Sequence, residues 1–123
     1  MVAAGVPTQR EDHAEVMANF ALEMLTALKR LPARNGERIE FRIGINSGPL
    51  VAGVIGKSKF HYDVWGDTVN VASRMESHGV AGKIQISAVT RELLKDGFQF
   101  EKRGVLDIKG KGEMETWFLV GRK

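Results

Sequence analysis

Residues 60–79 read FHYDVWGDTVNVASRMESHG, and the fold is decided within them. Phe60-His61-Tyr62-Asp63-Val64-Trp65 alternates apolar and polar side chains with the period of two that marks a strand. Gly66 breaks that pattern, and Asp67 is a good helix N-cap. From Thr68 onward Val71 and Met75 lie one helical turn apart, and so do Asn70 and Arg74. An amide and a guanidinium at i and i+4 project from the same side of a helix, just past a strand that carries Asp63. That pairing suits contact with sugar and phosphate. Taken alone, such a pair is usually a solvated helix face, and that plainer reading prevails until the whole string is considered.

Outward from this unit the chain alternates between helical and strand patterns. Asp12 and Glu15 have the spacing of a capping box. Behind them Val16, Phe20, Met24, Leu28 and Leu31 predict an amphipathic helix packed on a sheet, with Lys29 and Arg30 at the negative end of its dipole and Pro32 to stop it. Ile39–Ser47 alternates with Phe41, Ile43 and Ile45 on one face. Gly48-Pro49 turns the chain, Leu50–Ile55 is a nearly continuous apolar run, and the two segments predict a central hairpin. Ile84 and Ile86 mark a short strand, Ala88–Lys95 a short helix and Phe98–Arg103 another strand. Val105–Ile108 and Thr116–Val120 are expected to pair across Lys109-Gly110-Lys111-Gly112. Met1–Val6, closed by Pro7, reads as the tail of a strand.

Composition narrows the function. At 123 residues, 43% hydrophobic and 27% charged, the chain suits one domain or a large piece of one. It has no cysteine, hence no disulfide and no thiolate metal site. The 18 basic residues are interleaved with 15 acidic ones to a net charge of +3, so no broad basic stripe offers itself to nucleic acid. A nucleotide polyphosphate needs only a few local cations. No apolar run nears the ~20 residues that span a bilayer, and no signal peptide is visible.

Several motifs carry no chemistry. Gly53-Val54-Ile55-Gly56-Lys57-Ser58 ends like a P-loop, but Val51 stands where its first glycine is required and a strand pattern follows Ser58. His13, His61 and His78 lack metal-ligand spacing. Lys109-Gly110-Lys111-Gly112 alone reads as an exposed hairpin tip.

Taken whole, Tyr62-Asp-Val-Trp-Gly-Asp-Thr-Val-Asn-Val-Ala-Ser-Arg-Met-Glu-Ser77 resembles the signature of class III nucleotide cyclases. The likeness extends from Ala4-Gly5-Val6-Pro7 through Ile43-Gly44-Ile45-Asn46-Ser47-Gly48 to Ile108–Gly112. It implies an α+β fold, the ferredoxin-like sheet-and-helix core of those catalytic domains, N-terminally truncated, with residues 1–123 forming one partial domain. It further implies head-to-tail pairing with a second cyclase domain, as a homodimer or strand-exchanged oligomer, and active sites at the interface. Mg²⁺ or Mn²⁺ would be bound by aspartates upstream of Met1, together with a purine-selecting lysine in that part. Within this chain the resemblance assigns Arg74 to the α-phosphate, Asn70 to the ribose, Lys109 to the terminal phosphates, and Asp63 with Val64 to the base. An aspartate at position 63 implies ATP, because a carboxylate accepts from the adenine amino group and is repelled by the guanine carbonyl. The chain is expected in the cytoplasm, free or as the cytosolic domain of a larger membrane-attached protein, and inactive alone. A noncatalytic cyclase-like dimerisation or regulatory domain is the alternative. An RNA-binding sheet using Phe60, Tyr62 and Trp65 lacks any RNP-like string.

Overall fold

A computed structural model describes residues 2–5, 11–31, 41–49, 51–55, 61–108 and 110–123, with the backbone alone for 51–55 and 61–65. In chain order the elements are α1 (His13–Arg30), β1 (Ile43–Ile45), β2 (Val51–Ile55), β3 (His61–Trp65), α2 (Asp67–Ser77), β4 (Ile84–Ser87), α3 (Ala88–Leu94), β5 (Phe98–Ile108) and β6 (Gly112–Arg122). β1, β4, β6 and β5 form one sheet in that order, with β1 parallel to β4 and the other pairs antiparallel; β2 and β3 form a separate antiparallel pair. This mixed sheet with helices is the α+β class expected. Among the described residues no helix is long and apolar enough to cross a membrane.

The sheet is covered on both faces. Ile45, Ile84, Ile86, Leu94, Phe98 and Leu119 make one core with the α1 residues Ala14, Ala18 and Ala21. On the other side Val71 and Met75 of α2 bury against Ile108, with Leu106 and Met114 packed around them. The one-turn pair read from the sequence is therefore the buried seam of α2. Each such side chain removed from water stabilises the fold by about 1.5–3 kcal/mol.

Four expectations are corrected. The buried stripe of α1 is Ala14, Ala18 and Ala21, supported by Met17, Leu22 and Leu25, while Phe20 and Leu31 are about half exposed. That stripe lies roughly 100° round the axis from the one predicted, at 3.6 residues per turn. Alanines let the helix axis approach the sheet closely, and a count of large apolar side chains does not register them. The proposed capping box is not formed, since Asp12 stands at the N-cap position without a side-chain capping bond. The segments around Gly48-Pro49 are not a hairpin: β1 pairs in parallel with β4, and β2 pairs with β3. Gly48 adopts a φ of +153°, open to glycine, and a Cβ there would come within 2.8 Å of the Thr68 hydroxyl. Val2–Gly5 form no strand; the chain bends there, with Gly5 at φ 80°.

The C-terminal strands also run longer than their patterns suggest, eleven residues each. Gly104, expected to separate two strands, is absorbed at a bulge, where its carbonyl accepts a hydrogen bond from the Thr116 hydroxyl at 2.9 Å.

The contact that fixes α2 lies at Gly44. A Cβ placed there would come within 2.1 Å of Glu76 N, 2.5 Å of Met75 C and 2.8 Å of Ala72 O, so strand and helix meet backbone to backbone. None of those atoms can swing aside. Gly44→Ala is therefore expected to lower unfolding free energy by about 1–3 kcal/mol, the usual range for overpacking. Urea denaturation of the two proteins measures it; a change under 0.5 kcal/mol would mean that α2 slides freely on β1.

Candidate active site

α2 carries the candidate chemistry, and its start is set by the strand before it. Gly66, at φ 125°, turns the chain directly from β3 into the helix, and its carbonyl accepts from Asn70 N at 3.1 Å. Gly66 rather than Asp67 is the N-cap; Asp67 is the first helical residue, where its charge complements the helix dipole. At 100° per residue α2 has three faces. Val71 and Met75 face the core, Val69, Ala72 and Glu76 face β1, and Asn70 with Arg74 point to solvent. Among the described residues neither the Asn70 amide nor the Arg74 guanidinium has a hydrogen-bond or ion-pair partner. Both are available to a ligand.

Four anchors hold the helix. Gly44 sets its distance from β1. At its C-terminal end Arg42 lies 3.5 Å from Glu76 and donates to the Ser77 carbonyl at 3.3 Å, a cation where the dipole is negative. The buried Gln85 amide donates to the Met75 carbonyl at 3.0 Å. Near the N-terminal end the Asn46 amide donates to Thr68 O at 3.1 Å, and the Thr68 hydroxyl donates to Pro49 O at 2.5 Å. Asn46 is itself held by the Ser87 hydroxyl, which donates to its Oδ1 at 2.5 Å, and Ser87 caps α3 through Thr90 N. A polar chain thus ties the ends of β1 and β4 to the first turns of α2 and α3.

The remaining sequence-assigned residues belong to neighbouring elements. Asp63 and Val64 lie on β3 opposite Gly53 and Ala52, four and three residues before the helix starts. Their side chains lie outside the described residues, as does Lys109. The residues flanking Lys109 are placed: Ile108 is buried on Val71 and Met75, and Lys111 forms an ion pair with Asp67. The β5–β6 connection is therefore held against the first two turns of α2. Asn46, Gly44, Ser87 and Asp67 were missed as supports. Ser87 with Thr90 three residues on was a readable cap signal; the partners of Asn46 and Gly44 lie 22 or more residues away in sequence and gave none.

A groove of about 460 Å³ runs along the edge of β1 that has no strand partner among the described residues, between α1 and α2, lined by Met17, Phe20 and Met24 on one side and Val69 and Ala72 on the other. It is largely apolar and touches neither Asn70 nor Arg74. Concavity and candidate chemistry thus lie on different faces of α2: the groove is mainly apolar, and of its polar lining Arg42 and Asn46 already bond Ser77, Glu76 and Thr68 of α2. The exposed Glu92–Lys95 pair on the α3 side, at 2.7 Å, holds the Glu92 carboxyl below its usual range by hydrogen bond and charge. Such a pair contributes little. Among the described residues no three His, Cys, Asp or Glu side chains gather to hold a metal ion, so the donor set placed here does not fit the divalent ions implied by the resemblance.

Known proteins similar to this chain agree on one family. The chain is 50% identical over all 123 residues to an adenylate cyclase of Mycobacterium tuberculosis, of which it spans 28%. It is 47% identical over 122 residues to the rat guanylate cyclase soluble subunit beta-2, covering 98% of this chain and 18% of that one. The crystal structure of the guanylate cyclase domain of RhGC from Catenaria anguillulae, in complex with GTP, superposes with a TM-score of 0.91 at 44% identity, covering 97% of this chain and 65% of that one. The family model for the adenylate and guanylate cyclase catalytic domain matches residues 1–121, and the chain belongs to that family.

Proposed function

We propose that residues 1–123 are a portion of an adenylate cyclase catalytic domain and supply one half of an active site shared with a second domain. The observation that carries this reading is the exposed Asn70–Arg74 pair on a helix anchored at both ends. A rigid element presenting two polar groups that lack a partner among the described residues, on an open surface, suits a site completed by another surface. That arrangement suits an interfacial site.

In the reaction the ribose 3′-hydroxyl of ATP loses its proton to solvent, its oxygen attacks the α-phosphorus, the O3′–P bond forms, and the bond to pyrophosphate breaks. Negative charge builds on the α-phosphate oxygens and on the leaving group. Arg74 meets the first with a fixed, permanently charged guanidinium, a form of electrostatic transition-state stabilisation. Asn70 hydrogen-bonds the ribose and holds the 3′-oxygen in line. Lys109 neutralises the leaving pyrophosphate. Asp63 accepts from the adenine amino group, with Val64 against the base. Divalent ions, Mg²⁺ or Mn²⁺, belong to the other half of the site. Use of ATP places the reaction in the cytoplasm.

Three measurements test this. In the full-length protein Arg74→Ala should cut kcat by at least ~10²-fold with a smaller change in KM. A change confined to KM would remove Arg74 from the transition state. Asp63→Cys should reduce ATP turnover far more than melting temperature, and shift preference toward GTP; equal loss of folding and activity would make Asp63 structural. The 123 residues alone, with ATP and Mn²⁺, should form no cyclic AMP, because none of Asp12, Asp63, Asp67, Asp96 and Asp107 lies in a sequence context resembling the family's metal motifs. Mixed with a cyclase domain lacking its own Asn70 and Arg74 equivalents but retaining its metal aspartates, they should restore synthesis. Product from the chain alone would overturn the shared site, and silence in the mixture would favour the noncatalytic reading.

A further inference from the structure

Lys111 is the basic residue of the glycine-lysine turn to which the family resemblance assigns no role. Its ammonium nitrogen forms an ion pair with Asp67, the first residue of α2, three positions before Asn70. Its backbone N–H donates to Ile108 O at 2.9 Å, closing the connection between β5 and β6. Gly110 and Gly112 flank it with φ of 83° and 80°, a backbone open to glycine, so the turn stays tight on both sides. On the far side of position 109, Ile108 is 1% exposed and clamped against Val71 and Met75. The residue assigned to the leaving phosphates is therefore bracketed in sequence by two attachments to α2, one apolar and one ionic.

We infer that Lys111 is a positioning residue for the cyclase reaction: through its ion pair with Asp67 it ties the start of β6 to the helix that carries Asn70 and Arg74. This rests on the active-site reading above. The ion pair contributes little to folding, since Lys111 is 37% and Asp67 68% exposed and such pairs are worth about 0–1 kcal/mol. Its consequence is geometric. The ionic attachment adds a second, weaker hold to a connection that Ile108 clamps at its other end.

The alternative role for Lys111, direct contact with phosphate, makes the opposite prediction for Asp67. Were Lys111 a ligand, removing Asp67 would free its charge and tighten phosphate binding; as a positioning residue it needs Asp67, and loss of either partner should weaken binding alike. The test is a double-mutant cycle in the full-length protein with Lys111→Met, Asp67→Asn and both, reading the inhibition constant of pyrophosphate, kcat and melting temperature. Each single variant should raise the inhibition constant roughly 2- to 5-fold, the most that losing an exposed ion pair of this kind can cost a pre-organised contact. The double variant should be no worse than the poorer single one, and melting should shift by a few degrees at most. Tighter pyrophosphate binding in Asp67→Asn, additive losses, or no change in either single variant would overturn the inference. Lys109→Ala and Arg74→Ala serve as controls: if they leave pyrophosphate inhibition and turnover intact, the active-site reading fails, whereas normal controls with a flat cycle sink only the role of Lys111.

Discussion

The arrangement depends on the absence of one carbon atom. Gly44 lets α2 rest directly on β1, with three helix backbone atoms where any other residue would place its Cβ. A helix held by side-chain interdigitation can slide by fractions of an ångström as rotamers adjust, but backbone atoms in contact have no such freedom. Arg42, Gln85 and Asn46 then fix rotation and axial position through hydrogen bonds to Ser77, Met75 and Thr68 carbonyls. Each of these donors comes from β1, β4 or the residues next to them. The helix face bearing Asn70 and Arg74 is consequently set by the sheet, and its two polar groups need make no structural bonds of their own.

This division of labour explains what could be read from residues alone. Val71 and Met75 announced the buried seam of α2 because large apolar side chains one turn apart leave a periodic trace. Local signals also marked β4 and α3, where the Ser87 cap is short-range. Failures came where the deciding contact is distant or the deciding residue small. Ala14, Ala18 and Ala21 bury α1, yet alanine contributes little to an apolar pattern, so periodicity points to Phe20 and Met24 instead. Apolar periodicity could not tell a β1–β2 hairpin from β1 paired in parallel to a strand some forty residues later, since both bury the same isoleucines.

The site shows the same split. Asn70 and Arg74 were legible as an i, i+4 pair, and the surrounding string identified the family. Their supports were not, because Gly44, Asn46 and Asp67 act through contacts that spacing does not encode. Asp67 in particular looked like a helix cap and is instead an ion-pair partner, since Gly66 occupies the capping position with a φ that side-chain-bearing residues rarely adopt.

Two surfaces of the same helix layer are left open, and they differ in kind. The Asn70–Arg74 face is polar and supported from behind, and suits a charged ligand that arrives and leaves. The groove along β1 is apolar, flanked by the exposed Phe20 and Met24, and runs beside a strand edge whose backbone groups on that side lack a strand partner among the described residues. Apolar surface of that sort favours lasting contact, because water gains by its removal whatever covers it. A polar face supported in this way keeps its geometry only if the two surfaces stay independent. Gly44 secures that independence: with α2 seated on β1, pressure from the groove side meets backbone and cannot readily displace Arg74.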